Sequence, residues 1–162
     1  MSLCAASSPF PSWKEIHSFY GDLDQAADAQ VYIEPPYPMV LAWDVNAQIH
    51  RIRCHTKVAP SLTLALEEIG SAFGEGARRR LQLDRFGGVY NRRRMRGGDR
   101  WSSHAWGIAI DLAPTLNGLN TPWPSVGSMP SVVVEIFESL GWTSGARAVG
   151  RDAMHFQALN EW

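Results

Sequence analysis

Apolar and polar residues alternate in QIHRIR, which opens a predicted strand at residues 48–55 that buries one face. The apolar run at 39–43 (MVLAW) comes shortly before it, so we predict a partner strand there and a turn at 44–47. Residues 107–112 (GIAIDL) are short, apolar and β-branched, which is typical of a buried strand. A last short strand is predicted at 154–158.

Helices are predicted where apolar residues recur at helical spacing or where a glycine follows a helical pattern. They cover 13–20, 60–73 and 131–140. The second of these carries Leu62, Leu66 and Ile69 on one face, so we expect it to be amphipathic. The third is followed by Gly141, a residue common just past a helix end.

Prolines and glycines mark the connecting segments, which are 34–38, 87–98 and 117–130. Strands and helices follow one another without a strict βαβ order. The sequence therefore predicts an α+β fold in which helices flank a small, mainly antiparallel sheet. We expect a loose lead-in at 1–12 and a single domain at 13–162.

The composition is that of an ordinary globular protein, with 162 residues, 45% hydrophobic and 19% charged. The formal net charge of -1 argues against a nucleic-acid-binding protein, which usually carries a basic excess. Apolar runs stay well short of the roughly 20 residues of a membrane helix, so we expect no stable membrane insertion. Cys4 and Cys54 match neither a disulfide framework nor a thiolate zinc pattern, and we expect structural roles for them.

Two polar residues interrupt apolar runs. Asp111 lies within IAIDL, and His155 lies between a methionine and a phenylalanine. An unpaired charge in a protein core costs several kcal/mol or more, so Asp111 requires a cation or a metal beside it. His104 precedes Asp111 by seven positions (111 − 104), and a loop or strand end there could face the same point.

Two imidazoles and one carboxylate are a common catalytic zinc set, which leaves a fourth position for water. Asp152 precedes His155 by three positions, so a turn would bring its carboxylate to that open side to accept a proton. We therefore predict one zinc ion per chain, held by His104, Asp111 and His155, with Asp152 as the catalytic base.

WSSHAWGIAIDL and GRDAMHF resemble the Ser-x-His-x-x-Gly-x-Ala-x-Asp and acidic-x-x-His motifs of the LAS metallopeptidases. That group includes D-alanyl-D-alanine carboxypeptidases, VanY-like enzymes and phage L-alanyl-D-glutamate endolysins, and hedgehog signalling proteins are relatives. The resemblance covers roughly residues 87–157. It implies the LAS/hedgehog-like fold, the same zinc ligands and Asp152 as the base, where several relatives have glutamate.

The segment 88–98 (GVYNRRRMRGG) resembles the tyrosine and arginine segment that precedes the His motif in these enzymes. An arginine there binds the substrate carboxylate or polarises the scissile carbonyl, tasks that suit a planar guanidinium. Among its four arginines we favour Arg93 and then Arg96 as catalytic. We expect Arg92 and Arg94 to be solvated.

The resemblance also implies candidate substrate-binding residues near the cleft, namely Tyr90, Ser103, Trp106 and Trp142. For the two tryptophans a role in the core stays open, because an aromatic residue beside a glycine is often buried.

The implied activity is hydrolysis of an amide bond in the peptidoglycan stem peptide, as in a phage or prophage endolysin. Two alternatives stay open: a D-alanyl-D-alanine carboxypeptidase of the same family, and a metal-retaining module that binds without hydrolysis. We expect a monomer that acts in the periplasm or cell wall. The N-terminal residues show no secretory signal, so we expect release by phage lysis or export by a signal since trimmed.

Overall fold

The structure, a computed structural model, describes residues 7–162. Within that range the strands are β1 (Gln30–Ile33), β2 (Met39–Leu41), β3 (Asp44–Ile49), β4 (Ile52–His55), β5 (Arg85–Gly88), β6 (Ala109–Leu112), β7 (Thr143–Ser144) and β8 (His155–Gln157). The helices are α1 (Ile16–Tyr20), α2 (Leu23–Asp28), α3 (Ala59–Ala72), α4 (Glu75–Arg80), α5 (Ser131–Ser139) and α6 (Gly145–Val149). Short 3-10 turns cover Trp13–Glu15 and Ser103–Trp106.

The main sheet has six strands in the order β3-β2-β5-β6-β8-β7. Neighbouring strands run antiparallel, except that β2 and β5 are parallel. Strands β1 and β4 form a separate antiparallel pair. The predicted α+β fold, with a small and mainly antiparallel sheet flanked by helices, is confirmed.

The core lies where α3 packs against α5 and β1, and where α5 packs against β7 of the main sheet. The predicted apolar face of α3 is fully buried at Leu62, Leu66 and Ile69. Phe137 of α5 stacks on Phe156 of β8, with ring centroids 4.1 Å apart. Close packing on this side fixes the position of β8, because well-packed cores leave little room for displacement.

The predicted turn at 44–47 is wrong, and so is the single strand at 48–55. The chain turns at residues 42–43 and then runs as β3 through Asp44–Ile49, at the edge of the main sheet. It next enters β4, which pairs with β1 in the other sheet. Most of β3 is exposed, so it has no buried face that an apolar pattern could reveal.

Six short elements lie outside the predicted ones: α2, β1, α4, β5, β7 and α6. Of these, α2 has a clear local signal in its capping box. The carboxylate of Asp22 accepts from the Gln25 backbone N–H at 2.8 Å, and the Gln25 amide oxygen accepts from the Asp22 N–H at 2.9 Å. The other five elements are short and only partly buried, so their sequence pattern is weak.

The described part of the lead-in, residues 7–12, lies against the domain. Phe10 is buried and meets Trp142 edge-on, with ring centroids 5.9 Å apart. Cys4 lies outside the described residues, whereas Cys54 is a buried free thiol. In the described chain no helix has both the length and the apolar character needed to cross a bilayer.

Candidate metal and active site

Asp111 and His155 lie directly opposite each other, in register, on neighbouring strands β6 and β8. The turn Ser103–Trp106 brings His104 to the same place and ends at Gly107, whose φ is 71°. A left-handed conformation favours glycine, which explains the glycine of the His motif. Strand pairing and one tight turn therefore bring together three residues that are far apart in sequence.

The three side chains converge on one point. One possible ligand atom from each of His104, Asp111 and His155 lies within 4.8 Å of the other two. Asp111 Oδ1 is 3.2 Å from His104 Nε2 and 3.0 Å from His155 Nδ1. This arrangement could hold a metal ion.

His104 is oriented by its other ring nitrogen. Nδ1 lies 2.7 Å from the backbone carbonyl of Val89, and because a carbonyl only accepts, Nδ1 carries the proton and Nε2 is left unprotonated. Nε2 is buried and lacks a hydrogen-bond partner among residues 7–162. A buried polar atom without a partner is costly, so this nitrogen fits the role of a metal ligand.

Asp111 keeps its charge although it is buried. Burial alone would raise the pKa of its carboxyl, but the imidazoles of His104 and His155 outweigh that effect and hold the pKa well below its usual range. A carboxylate between two imidazoles is a donor set that zinc accepts. The residues present therefore fit the predicted zinc ion.

Asp152 lies in the turn that leads into β8, where its carbonyl accepts from the His155 N–H at 3.0 Å. Its φ of 53° is left-handed, a conformation that aspartate tolerates but that is uncommon and often found at functional sites. The side chain is buried, and Oδ1 has no hydrogen-bond partner in the part of the chain that the structure describes. The turn thus places an uncommitted carboxylate oxygen beside the donors.

The surroundings of Asp152 change its acidity. Burial raises the pKa of its carboxyl; the charge of His155 opposes this rise, and the carboxylate of Asp111 adds to it. A raised pKa brings a carboxyl closer to the range in which it can accept and return a proton. This is the property that a catalytic base requires, and the role itself stays a prediction.

Gly87 of β5 makes room for Asp111. A Cβ at this position would lie 2.9 Å from the Asp111 Cβ and 3.1 Å from its carbonyl oxygen. Carbon atoms that are not bonded prefer about 3.5–4.0 Å, so a side chain here would displace the metal donor. The glycine of this strand is therefore part of how the site is built.

The donors open into a cleft of about 300 Å³. We use the term metal side for His104, Asp111, His155 and Asp152, all of which line it. We use the term arginine side for three further lining residues, which are Arg93, Arg96 and Arg100. Apolar side chains lie between the two sides, so the cleft combines metal donors, cationic groups and apolar surface.

The arginines of the loop after β5 differ in their surroundings. Arg93 is half-buried at the cleft, and its Nη1 donates to the carbonyl of Arg94 at 3.2 Å. Arg92 is turned to Asp24, with its Nη1 2.8 Å from the carboxylate. The Arg94 guanidinium lies over the Trp101 ring, 4.1 Å from its centroid. Arg92 and Arg94 therefore do not line the cleft.

Of the predicted substrate-binding residues, Ser103 lines the cleft and the other three do not. Trp142 is buried in the core, where its indole N–H donates to Ser61 at 3.0 Å. Trp106 points away from the donors, and its indole N–H donates to the carbonyl of Gly21 at 3.0 Å. Their predicted place at the cleft is wrong, because adjacency to the motif in sequence does not set which way a side chain faces.

Tyr90 is also misplaced by the prediction. It is half-buried beneath Arg53, whose guanidinium carbon lies 4.5 Å from the ring centroid, and it lies outside the cleft lining. The neighbouring Val89 supplies the carbonyl that orients His104, so this segment contributes to the site through its backbone.

Eight residues that line the cleft have no role in the sequence-based prediction: Trp13, Met95, Arg100, Ser102, Leu119, Met154, Gln157 and Trp162. Trp13 and Trp162 come from opposite ends of the chain, and their approach is visible only in the fold. Gln157 could have been predicted from sequence, because it lies two positions after His155 on the same strand and therefore on the same face.

Comparison with known proteins gives one match. Residues 96–158 match a family model described as D-alanyl-D-alanine carboxypeptidase. Neither the curated proteins nor the solved structures contain a match to this chain. The matched segment includes the whole metal side and excludes Arg93. The resemblance to the LAS-type peptidases is therefore confirmed, and it indicates a peptidase of the kind that acts on cell-wall peptides.

Proposed function

We propose that this chain is a zinc-dependent peptidase that hydrolyses an amide bond in the stem peptide of peptidoglycan, in the periplasm or cell wall. The observation that carries the proposal is the convergence of His104, Asp111 and His155 in a cleft, within a segment that matches a carboxypeptidase family. A phage or prophage endolysin is the proposed biological setting.

His104, Asp111 and His155 would hold the zinc ion, one per chain. When bound, the ion supplies a Lewis acid that polarises the scissile carbonyl and acidifies a water molecule. The side chains around it bind the substrate and move the proton.

Asp152 would serve first as general base and then as general acid. Its buried Oδ1 has no competing hydrogen bond within residues 7–162, so it can accept a proton from the attacking water. After the carbonyl is attacked, the same carboxyl returns that proton to the leaving amine. The raised pKa of Asp152 supports both steps, because the protonated form is less costly than for an ordinary aspartate.

Arg93 would hold the substrate and stabilise the negative charge that develops on the carbonyl oxygen. Its half-buried guanidinium has five N–H donors, of which one contacts the carbonyl of its own loop. The others can reach a substrate carboxylate or oxyanion, where charge-assisted hydrogen bonds are strong. Arg96 is the second candidate for this role.

A stem peptide suits the cleft in size and charge. Stem peptides are short and carry several carboxylates, and three arginines line one side of the cleft. A volume of about 300 Å³ is at the lower end of the range for small-ligand pockets, so it admits only a few residues around the scissile bond.

Mass analysis of purified muropeptides tests the proposal. The zinc-loaded protein should cleave one amide bond of the stem peptide, and removal of zinc with a chelator should stop the reaction. The proposal fails if zinc-loaded protein leaves every stem-peptide amide intact under conditions in which it is folded.

A D-alanyl-D-alanine carboxypeptidase is the second candidate, favoured by the description of the matched family model. The arginine side could then grip a free terminal carboxylate. Stem pentapeptides with a free or an amidated C-terminus separate the two activities. A carboxypeptidase would release D-alanine from the free form and lose activity on the amide, whereas an endopeptidase would cleave both.

A metal-retaining binding module would bind muropeptides without changing their mass. The buried Oδ1 of Asp152, which has no hydrogen-bond partner among the described residues 7–162, favours hydrolysis instead.

A further inference from the structure

His155, the second histidine of the metal side, contacts the side chain of Gln157, and this contact affects how His155 can bind zinc. His155 faces Asp111 with Nδ1, while its Nε2 lies 3.1 Å from the amide oxygen of Gln157. If His155 is to bind a metal through Nδ1, its one ring proton must be on Nε2. Nδ1 faces the Asp111 carboxylate at 3.0 Å, so in the metal-free chain both ring nitrogens have an acceptor and both can carry a proton. Zinc takes the place of the proton on Nδ1, and the atom that faces Nε2 then decides whether the remaining proton has an acceptor.

The orientation of the Gln157 amide is fixed from its other end. Its NH₂ group donates to the backbone carbonyl of Glu161 at 2.9 Å, so its oxygen faces the opposite way. That oxygen also accepts a hydrogen bond from the Ser103 hydroxyl at 3.1 Å. An amide oxygen accepts and never donates, so the partner nitrogen of His155 must carry the proton.

Ser103 alone could not enforce this tautomer. Its hydroxyl lies 3.3 Å from His155 Nε2 and can in principle donate to an unprotonated ring nitrogen. Because its proton goes to the Gln157 oxygen, its contact with His155 is limited to accepting. Gln157 thus sets the direction of both hydrogen bonds.

The two metal-facing histidines differ in this respect. His104 is oriented by the backbone carbonyl of Val89, which substitution does not remove. His155 depends on the side chain of Gln157, which is buried at 3% exposure and carried by the same strand. We propose that Gln157 is a positioning residue: it holds His155 in the Nε2-protonated tautomer and so presents Nδ1 to the metal. This inference rests on the proposed zinc site.

Two measurements on the same proteins test this role. Long-range ¹H–¹⁵N NMR of the metal-free chain reports which nitrogen of His155 carries the proton, and competition with a zinc chelator gives the affinity for Zn²⁺. Gln157→Leu removes the acceptor, whereas Gln157→Glu keeps an oxygen that accepts. Gln48→Leu is the matched control, because it removes the amide of an exposed glutamine on β3, at the edge of the main sheet away from β8.

The wild type should carry a proton on Nε2 of His155 before zinc is added, with or without a second proton on the Nδ1 that faces Asp111. Gln157→Leu leaves Asp111 as the acceptor for the ring, so the proton should move to Nδ1, and zinc binding should weaken by about 10–100-fold, the usual effect of removing a partner of a metal-ligating histidine. Gln157→Glu should keep the proton on Nε2 and recover most of the affinity. Gln48→Leu should leave both the protonation of His155 and the affinity unchanged.

A wild-type spectrum in which Nε2 of His155 carries no proton would overturn the inference, even if Gln157→Leu failed to fold. So would an unchanged tautomer and zinc affinity in folded Gln157→Leu. The proposed zinc site is tested by a different result, namely whether the wild type binds Zn²⁺. The protonation of His155 is measured in the metal-free protein, so the two proposals can fail independently.

Discussion

The two sides of the cleft are built in different ways. The metal side rests on paired strands and tight turns, and its side chains are buried or nearly so. The arginine side lies on the loop between β5 and the turn Ser103–Trp106, where Arg96 and Arg100 are exposed and Arg93 is half-buried. The metal side is therefore fixed by the fold, whereas the arginine side has several similar cationic groups within one loop.

This difference predicts how each side responds to substitution. A buried donor has one position and no substitute, so its loss should remove the function. An exposed arginine is solvated and has cationic neighbours, so its loss should have a smaller effect.

Replacing a metal donor should have the largest effect. His104→Ala removes one of three protein ligands and should abolish both zinc retention and muropeptide hydrolysis. His50→Ala, at an exposed histidine outside the cleft, is the control and should behave as wild type. Zinc content by elemental analysis and product release by mass spectrometry measure the two effects. Activity retained in His104→Ala would contradict the assignment.

Replacing the proposed base should separate chemistry from metal binding. Asp152→Asn keeps the shape but removes the proton acceptor, so kcat should fall by about 10²–10⁴-fold while zinc remains bound. Asp28→Asn, at an exposed aspartate, is a matched control and should change neither. Hydrolysis by Asp152→Asn at the wild-type rate would show that another group takes the proton.

Adding one methyl group beside Asp111 should disturb the metal side without touching a donor. Gly87→Ala places a Cβ 2.9 Å from the Asp111 Cβ, so we expect a loss of about 1–3 kcal/mol in stability together with weaker zinc binding. Gly76→Ala, which has open space around it in α4, should not weaken either property. Thermal unfolding and zinc competition make the comparison, and unaltered zinc affinity in Gly87→Ala would count against the tight fit.

Replacing an arginine should have a smaller effect. Arg93→Lys keeps the charge but loses the planar set of donors, so we expect kcat/KM to fall by about tenfold, the equivalent of one charge-assisted hydrogen bond. Arg92→Lys, whose side chain pairs with Asp24 outside the cleft, should leave kcat/KM near the wild-type value. Equal effects of the two substitutions would remove the reason for favouring Arg93.

A buried histidine outside the cleft should affect stability alone. His55 accepts from the Lys57 N–H through Nδ1 at 3.1 Å, and its Nε2 lies 3.2 Å from the Tyr20 carbonyl, so its neutral form is satisfied. Burial lowers the pKa of His55, so the unfolded chain binds more protons, and stability is lost as pH falls below about 6.5.

The measurement is the thermal midpoint at pH 7.5 and 5.5 with a chelator present, so that release of zinc does not contribute. Wild type should lose more stability on acidification than His55→Asn. An equal loss in both proteins would show that other groups set this pH dependence.

The metal side could be predicted from sequence because some of its residues are polar although they lie within apolar segments. Asp111 and His155 interrupt apolar strands, and their pairing opposite each other in β6 and β8 accounts for both. The core helix α3 could also be predicted from sequence, because the spacing of its apolar residues matches its buried face. Local patterns of this kind can be recognised in a single sequence because burial determines which positions are apolar.

The rest of the cleft depends on contacts that no local pattern contains. Trp13 and Trp162 reach the cleft from opposite ends of the chain, and the backbone N–H of Trp13 donates to the Glu161 carboxylate at 2.7 Å. The family resemblance implies a place at the cleft for Trp106 and Trp142, yet each turns into the interior. Side-chain direction depends on the turn and the packing around it, which the order of residues alone does not determine.

A zinc titration of the metal-free chain shows whether His104, Asp111 and His155 form a zinc site. We expect saturation at about one Zn²⁺ per chain, with loss of that site in His104→Ala and in Asp111→Ala. A folded wild-type protein that takes up no zinc, or variants that bind zinc as well as the wild type, would show that these residues do not form the site.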